Sequence, residues 1–324
     1  MISLIIKDGL GNQLFQYAFA RYLQKLYRDQ GQNEEIVINP LYMNSCDFRK
    51  ISLQHFRLND NVRFMEGKEQ KIDLIDFKLR VLYANGLDMI PWKITKTGKP
   101  IGKEKFLKRV KRGVYYTYQS QTGYGAPLAK TTKKYIFGCY QGEENFKPIK
   151  EIIKSEFQII TPMRLVSIPI MNKILDTESV CLHIRRGDYL DVRWKNLQVC
   201  DYNYYNDAIN ELLKQVDNPV FFLFSNSHED LDWIKKNYRF NNRIDNRELQ
   251  FYYVDLQNPD YEELRLMMSC KHFIISNSTF SWWAAYLAKN NNKKVFVPER
   301  WNLASEDDSS IYLDYWNKIR LKKG

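Results

Sequence analysis

The sequence predicts an α/β protein with two domains, and three observations support this class. The second half of the chain alternates buried strands with helices, which is typical of a parallel sheet covered by helices on both faces. The chain also begins with a short apolar strand, a glycine-containing loop and an apolar-rich helix. Its 324 residues suit two domains of ordinary size. Because Pro162 and Pro169 interrupt the pattern between the halves, we expect a linker at 158–170 and domains at residues 1–162 and 163–324.

Composition and charge narrow the class of protein. Hydrophobic residues make up 44% and charged residues 27% of the chain, which is a globular composition. The net charge of +11 predicts an anionic partner. Nine basic residues lie between Pro91 and Arg112 beside one acid, Glu104. We interpret this stretch as a solvated basic face, with peripheral docking on an anionic membrane as the alternative. We expect no nucleic-acid partner, because the charges are not interleaved with the aromatic residues of a single-strand platform.

The cysteines and histidines predict reduced thiols and no metal site. The five cysteines are odd in number and scattered, without a C-x-x-C pair, which indicates a reducing compartment. The four histidines show no metal-ligand spacing. The start of the chain does not read as a signal peptide, and no apolar stretch approaches the ~18 residues of a membrane span. We therefore expect a cytoplasmic protein, with peripheral contact at the inner face of the membrane left open.

The loop after the first predicted strand is the first candidate site. Residues 2–6 read as a buried strand, and a helix follows from about 12 to 28. In this geometry backbone N–H groups at a helix start can meet an anion or a polar ligand, although two glycines alone also fit a simple tight turn. Two amide side chains at the end of the loop favour binding. The candidate binding residues are Gly9, Gly11, Asn12 and Gln13.

The rest of the first half gives weaker signals. We expect strands at 34–38 and 134–140 and a helix at 143–157. The section from about 40 to 130 reads as an irregular, basic insertion with a helix around 71–84.

The second candidate site follows a buried strand predicted to end near His183. The apolar run stops at Arg185 and Arg186, and such a pair at a strand end is costly unless something pairs with it. Asp188 supplies one counter-charge. Ligands of open α/β sheets bind outside the carboxyl ends of strands, and the planar fork of arginine suits phosphate oxygens. We interpret the cluster as a diphosphate clamp; the alternative is an Arg–Asp pair that holds a loop.

The remaining elements of the second half can be placed in order. We expect strands at 220–224, 251–255, 272–276 and 295–298, helices beginning near Asp201, Ser227, Asp260 and Phe280, and a last helix around 311–321.

A third candidate site follows the strand at 272–276. Small polar residues there stand at a helix start, where hydroxyls and N–H groups can hold a phosphate; a well-capped helix is the alternative. Because two strand ends of one sheet offer phosphate donors, we favour a shared ligand. Asp255 ends another strand and could accept from a ribose hydroxyl or a guanine, or begin the next helix. The candidate residues of this stretch are Ser276, Asn277, Ser278, Thr279 and Phe280.

Three stretches carry a resemblance to a known family. They are Gly9-Leu10-Gly11-Asn12-Gln13-Leu14-Phe15-Gln16-Tyr17-Ala18, His183-Ile184-Arg185-Arg186-Gly187-Asp188-Tyr189 and Asn277-Ser278-Thr279-Phe280-Ser281-Trp282-Trp283. In these stretches, and in order across nearly the whole chain, the sequence resembles the α-1,2-fucosyltransferases of glycosyltransferase family 11. Two positions depart from the family. Asp8 replaces the first glycine of the first motif, and Asn226-Ser227 stands where an acidic pair is common.

The resemblance implies a GT-B fold, in which two Rossmann-like domains face each other across a cleft. It implies an inverting, metal-independent transfer of L-fucose from GDP-fucose to the 2-OH of a terminal β-galactoside, on a glycan or a lipid-linked oligosaccharide. The N-terminal domain would serve the acceptor and the C-terminal domain the donor, with no further cofactor. Two alternatives stay open: transfer from another GDP-sugar on the same scaffold, and a non-catalytic basic protein that binds nucleic acid or a membrane surface.

Within that resemblance, the charged residues of the second motif take catalytic roles. Arg185 and Arg186 would neutralise the charge that grows on the leaving diphosphate, with His183 as a further donor. Asp188 would orient an arginine. The base that deprotonates the acceptor stays open among Asp8, Asp188 and Asp191.

Overall fold

The structure is a computed structural model that describes residues 1–43, 50–85, 102–116, 124–240, 243–244, 247–304 and 311–322. The chain divides into two compact units, Met1–Ile160 and Thr161–Gly324. The boundary expected from the sequence, after residue 162, lies two residues further along the chain.

The first unit is built on a five-stranded parallel sheet. Its strands are β1 (Ile2–Ile5), β2 (Ile36–Asn39), β3 (Val62–Phe64), β4 (Val114–Tyr116) and β5 (Lys134–Phe137). Its helices are α1 (Leu10–Arg28), α2 (Gly67–Asn85), α3 (Lys103–Val110) and α4 (Lys150–Glu156). The strand order is β3-β2-β1-β5-β4, so the order reverses between β1 and β5. The central strands β1 and β2 are fully buried, as their apolar runs require in a parallel sheet.

A buried ion pair ties the two ends of this unit together. Arg21 on α1 donates to the carboxylate of Glu156 at the end of α4, with the shortest contact at 2.6 Å from Nη2. The hydroxyl of Tyr17 donates to the same carboxylate at 2.6 Å. These charge-assisted hydrogen bonds compensate the cost of burying Glu156.

For the described residues, the expectation of an irregular insertion from about 40 to 130 is wrong, but the helix expected around 71–84 is confirmed as α2. That section supplies β3 and β4, which are the two edge strands of the sheet, together with α2 and α3. Strands of three residues are too short to show an alternation of apolar and polar residues, which is why the sequence did not reveal them. Part of the basic stretch, residues 91–101, lies outside the described residues.

The helix expected at 143–157 is also shorter than predicted. Two 3₁₀ turns, Glu143–Asn145 and Lys147–Ile149, precede α4. Pro148 occupies the first turn of the second of these, and its ring disfavours a regular α-helix through the preceding residues.

The second unit is built on a six-stranded parallel sheet. Its strands are β6 (Glu178–His183), β7 (Pro219–Phe224), β10 (Gln250–Tyr253), β11 (His272–Ile275), β12 (Val295–Pro298) and β13 (Asn317–Ile319), with a separate antiparallel pair β8 (Arg243–Ile244) and β9 (Arg247–Glu248). Its helices are α5 (Ile168–Asp176), α6 (Tyr202–Leu213), α7 (His228–Asn237), α8 (Asp260–Met268) and α9 (Thr279–Leu287). The sheet order is β10-β7-β6-β11-β12-β13. Numbered along the chain, this is the 3-2-1-4-5-6 order of Rossmann folds, and the order reverses between β6 and β11.

Two expectations for this unit are wrong. The last helix expected around 311–321 is instead a series of turns followed by β13, which pairs in parallel with β12 through Phe296 and Asn317. Helix α5 lies partly where a linker was expected, because Pro169 stands in its first turn, where no backbone donor is needed.

Both units are α/β with parallel sheets, which is the domain composition of the GT-B class, and the predicted fold class is confirmed. Over the described ranges, the helices are too short or too polar to cross a bilayer. The described cysteines, Cys139, Cys181, Cys200 and Cys270, are free thiols, and Cys46 lies outside the described residues.

Candidate active site

The second sheet brings two of the predicted site stretches together where its strand order reverses. His183 ends β6, and Ser276 directly follows the neighbouring strand β11. The Nδ1 atom of His183 lies 3.0 Å from the hydroxyl oxygen of Ser276, and both side chains are buried. The crossovers on either side of this point leave in opposite directions, so the carboxyl ends of the two strands border a crevice where Rossmann sheets bind ligands.

His183 is a neutral hydrogen-bonding group in this site. Burial lowers its pKa, and the nearby charge of Arg185 lowers it further, to about 3. The imidazole is therefore uncharged at neutral pH, and it can donate or accept a hydrogen bond without adding charge.

Arg186 is held on the side of the turn that faces α7. Its Nε lies 3.3 Å from Oδ1 of Asp230, and its guanidinium carbon lies 3.3 Å from the ring centroid of Trp233. Its backbone N–H donates to Oδ1 of Asn226 at 3.1 Å. The ion pair and the stacking hold this side chain in one orientation, which suits a residue that positions the turn.

Gly187 allows the chain to turn sharply after the two arginines. Its φ of 34° lies in the left-handed region, and an added Cβ would stand 3.1 Å from the amide of Asn226. Its N–H donates to Oδ2 of Asp230 at 3.0 Å. Burial raises the pKa of Asp230, although this N–H and the nearby arginines oppose the rise.

The sequence reasoning missed the three residues that brace this turn, Asn226, Asp230 and Trp233. A usable signal existed, because Ser227 caps α7 through a hydrogen bond from the N–H of Asp230 at 3.2 Å. A cap that follows the strand neighbouring β6 places the first turn of its helix beside the end of β6. The position where the family often has an acidic pair is thus occupied by residues that brace the turn and cap the helix.

Arg185 precedes Arg186 in the same turn, and its charge also opposes the raised pKa of Asp230. Its guanidinium carbon lies 5.1 Å from the ring centroid of Tyr189, and its charge contributes to the low pKa of His183. The hydroxyl of Tyr189 donates to the backbone carbonyl of Asn277 at 2.9 Å, which links this loop to the end of β11. The side-chain contacts of the two arginines therefore differ: Arg186 contacts Asp230 and Trp233, and Arg185 contacts Tyr189.

The start of α9 offers further donors at the same crevice. Ser278 is the N-cap of α9, but its side chain makes no capping hydrogen bond. Thr279 and Phe280 are partly exposed in the first turn, and the ring centroids of Phe280 and His183 are 6.3 Å apart. The first N–H groups of a helix have no acceptor within the helix, so this end can bind an anion.

Asn277 has a different function from its neighbours. Its amide donates to the carbonyls of Leu197 at 3.0 Å and Trp301 at 2.8 Å, and only 1% of the residue is exposed. The side chain joins two loops beneath the site rather than facing a ligand.

Asp255 lies further along the same edge of the sheet. It follows β10, which is two strands from β6, and at ~4.8 Å per strand this is about 10 Å away. Its carboxylate accepts a hydrogen bond from Nδ1 of His228, whose other ring nitrogen lies 3.5 Å from Asp232. The hydrogen bond and charge of Asp255 raise the pKa of His228 above its usual value.

The first unit contains the other predicted stretch, after β1. Gly9 precedes α1 with a φ of −71°, and an added Cβ would meet no atom within 4 Å. Neither packing nor backbone conformation requires glycine there, whereas close approach of a ligand would. Asn12 accepts a hydrogen bond from the amide of Gln141 at 2.8 Å, and Gly11 is buried in the first turn of α1.

Gln13 holds the surrounding loops in place. Its amide nitrogen donates to the carbonyls of Asp8 at 3.1 Å and Lys50 at 2.9 Å, and its oxygen accepts from the N–H of Ser52 at 3.0 Å. The residue is fully buried, so its amide is committed to the protein.

The three carboxylates considered as bases differ in their surroundings. Asp191 is bound by Arg193, whose Nε donates to it at 2.9 Å, and this partner lowers the pKa of Asp191 to about 2. Asp8 has a left-handed φ of 67° and lies 3.5 Å from Nζ of Lys7. Asp188 follows the two arginines in a 3₁₀ turn, and its side chain lies outside the described part of the structure.

Throughout the described ranges, no group of three or more histidine, cysteine or acidic side chains could hold a metal ion. Metal independence stays a prediction.

Comparison with known proteins assigns the chain to a family. Residues 1–320 match the profile of glycosyl transferase family 11. An alpha-1,2-colitosyltransferase from Escherichia coli is 28% identical over 91% of this chain and 90% of its own length. The O-antigen biosynthesis glycosyltransferase WbnK from Escherichia coli is 27% identical over 96% and 98%. Galactoside alpha-(1,2)-fucosyltransferase 1 from Aotus azarae is 30% identical over 44% of this chain and 40% of its own length.

The family match spans both units and all three motif stretches. The predictions of family and of a glycosyltransferase activity are therefore confirmed. The chain belongs to glycosyl transferase family 11.

Proposed function

We propose that this glycosyltransferase is an inverting α-1,2-fucosyltransferase that moves L-fucose from GDP-fucose to the 2-OH of a terminal β-galactoside. The observation that carries the proposal is the meeting of His183 and Ser276 at the strand-order reversal, with Arg185 beside them. A fixed cation and several neutral donors at this crevice suit the diphosphate of a nucleotide sugar.

Arg185 is the residue we assign to the leaving diphosphate. As the sugar approaches an oxocarbenium state, negative charge grows on the β-phosphate, and a fixed guanidinium stabilises the transition state more than the ground state. His183, Ser278 and the first turn of α9 add neutral donors. Arg186 positions the turn through Asp230, so we assign it a supporting role.

Asp255 fits the nucleoside end of the same donor. It lies about 10 Å from β6 along the edge of the sheet, so a nucleotide whose phosphates sit at His183 could extend toward it. Its carboxylate could accept from ribose hydroxyls or from the N–H groups of guanine, and His228 fixes its orientation.

Three carboxylates are candidates for the general base that activates the acceptor hydroxyl, and their surroundings narrow the choice among them. Asp191 is unsuited to general base catalysis because Arg193 holds it ionised with a pKa of about 2. Asp8 and Asp188 stay as candidates, and a loose transition state needs little help from a base. With arginine neutralising the leaving group, we propose that the reaction needs no metal.

The identity of the acceptor and of the sugar draws support from the relatives' names. The fucosyltransferase from Aotus azarae is named for galactosides, and WbnK is named for O-antigen biosynthesis, which supports a galactoside-terminated glycan or lipid-linked oligosaccharide. The colitosyltransferase matches 91% of this chain, so transfer of colitose is the second candidate function.

A thermal stabilisation assay tests the donor directly. The purified protein is melted with EDTA and with GDP, GDP-fucose, GDP-colitose, GDP-mannose or UDP-galactose. A ligand at about 100 times its Kd stabilises the folded state by about 2.7 kcal/mol, which is a readable shift in Tm. Shifts with GDP and GDP-fucose, followed by formation of an α-1,2 linkage on a β-galactoside, support the proposal. A shift with GDP and GDP-colitose but not GDP-fucose supports the second candidate, and a shift with UDP-galactose alone refutes both.

A further inference from the structure

Helix α2 carries a row of apolar side chains that are exposed at its surface. Relative exposures are 66% for Ile72, 57% for Ile75, 59% for Leu79, 37% for Leu82 and 68% for Tyr83. At 100° per residue these five positions fall within one arc of about 100° on the helix. We call them the α2 stripe. The opposite side of the helix packs on the protein through buried residues such as Phe77 and Val81.

Cationic residues border the α2 stripe. Lys68 precedes it in the first turn of α2, and Lys71 and Lys78 lie along one edge; all three are exposed. On the other edge the acids Glu69 and Asp76 are paired with Arg63 and Arg80, so that edge carries no net negative charge from these four residues.

The basic helix α3 extends this border. The guanidinium of Arg112 lies 4.5 Å from the ring centroid of Tyr83, so the end of α3 is joined to the end of the stripe. The exposed charged residues of α3 and the turn after it are Lys103, Glu104, Lys105, Lys108, Lys111 and Arg112, which is five cations against one acid. Phe106 and Val110 on the other side of α3 are buried, so these cations lie on its exposed side.

We propose that the α2 stripe and the exposed cations of α2 and α3 form a docking surface for an anionic lipid bilayer. An apolar face bordered by lysine and arginine is the pattern of helices that lie in a membrane interface, with the apolar side chains among the lipids and the cations at acidic headgroups. A second copy of the chain is a poorer occupant, because a symmetric contact through this surface would bring like charges together.

Vesicle sedimentation tests this surface in the intact protein. Vesicles of neutral lipid are compared with vesicles in which about a third of the lipid is anionic, at low and high salt. We expect binding to the anionic vesicles that weakens with salt. The variants Ile75→Asp/Leu79→Asp and Lys105→Glu/Lys111→Glu should each reduce the partition coefficient about tenfold or more, because each removes two side chains that would enter the lipid or meet the anionic headgroups.

Matched controls separate the surface from general charge and hydrophobicity. Leu165→Asp/Leu175→Asp changes two leucines that are 83% and 57% exposed, and Lys150→Glu/Lys154→Glu reverses two exposed lysines on α4. Both should bind like the original protein, and melting curves should confirm that every variant is folded. Equal binding to neutral and anionic vesicles, or equal losses in test and control variants, would overturn the proposal. So would a dimer in light scattering that Leu79→Asp dissociates. None of these readouts depends on the donor sugar.

Discussion

The different surroundings of the two adjacent arginines lead to opposite expected effects on turnover and stability. Replacing Arg185 by alanine should reduce kcat/KM about 10²- to 10³-fold, by analogy with removal of one oxyanion donor, and should lower Tm less than the Arg186 replacement does. Replacing Arg186 by alanine should mainly destabilise the second unit, because this side chain pairs with Asp230 and stacks on Trp233.

The loss in the Arg186→Ala variant can be estimated from its contacts. Stacking of a partly buried guanidinium on tryptophan contributes about 1–2 kcal/mol. The ion pair adds no more than about 1 kcal/mol, since the arginine and Asp230 side chains keep 21% and 11% of their exposure and solvent screens the charges. A loss of about 2 kcal/mol in a unit of this size corresponds to a fall in Tm of about 4–8 °C.

The pH dependence of this loss has a definite sign. Burial raises the pKa of Asp230 in the folded state, so ionised Asp230 costs stability above that pKa, and Arg186 offsets part of the cost. Without Arg186 the cost is larger wherever Asp230 is ionised. The difference in Tm between the original protein and Arg186→Ala should therefore be largest near pH 7 and should shrink as the pH falls through the pKa of Asp230.

Calorimetry at pH 7 and pH 4, combined with initial rates, checks both arginines. Arg186→Lys serves as the control that keeps the charge and loses the planar fork, and it should recover part of the stability. In a double-mutant cycle, the variant that carries both Arg186→Ala and Asp230→Asn should lose less free energy of unfolding than the sum of the losses in the two single variants. The reasoning is refuted if Arg185→Ala destabilises as much as Arg186→Ala, or if Arg186→Ala reduces turnover by the larger factor while Tm stays unchanged.

Three further predictions concern metal, pH and the first unit. EDTA should leave turnover intact, and a loss of activity that Mg²⁺ restores would contradict a metal-free mechanism. Because the folded pKa of His183 is about 3 and its usual value is 6.5, the unfolded chain takes up a proton that the folded protein does not, so stability falls as the pH drops below about 6.5. In the His183→Gln variant, Tm should fall less between pH 7 and pH 5 than in the original protein. An equal fall in Tm for both proteins would refute the low pKa of His183. Glu156→Ala leaves Arg21 without its carboxylate and should destabilise the first unit by about 3 kcal/mol, measured by urea unfolding; Glu151→Ala, at an exposed position, is its control.

The sequence predicts a helix or strand where the element is long enough to show the periodicity of its apolar and polar residues. Helix α8 begins at the residue that the sequence indicated, strand β12 has the predicted bounds, and the alternation of the second half predicted its parallel sheet. Strands β3, β4 and β13 each have three residues, which is less than two repeats of the alternation. The partner strand specifies such segments: β13 is extended because it pairs with β12.

For the candidate site, too, the sequence predicts what depends on neighbouring residues and not what depends on residues far along the chain. A strand end followed by a helix start is a local pattern, so the positions of the three motif stretches could be predicted from the sequence. The function of each side chain depends on residues far along the chain. Gln13 is committed to Lys50 and Ser52, and Asn277 to Trp301, partners that no spacing within the motifs indicates.

The same separation explains why a motif contains more polar residues than a ligand needs. A turn at the end of a buried strand leaves backbone groups that must find partners, so some motif side chains satisfy the protein itself. Gln13, Asn277 and Arg186 do so through amides or an ion pair within the described structure. Gly9 and the start of α9 differ: an added Cβ at Gly9 would meet open space, and the N-cap residue of α9 makes no capping hydrogen bond through its side chain. Substitutions in the first set should therefore mainly lower Tm, and substitutions in the second set should mainly lower turnover.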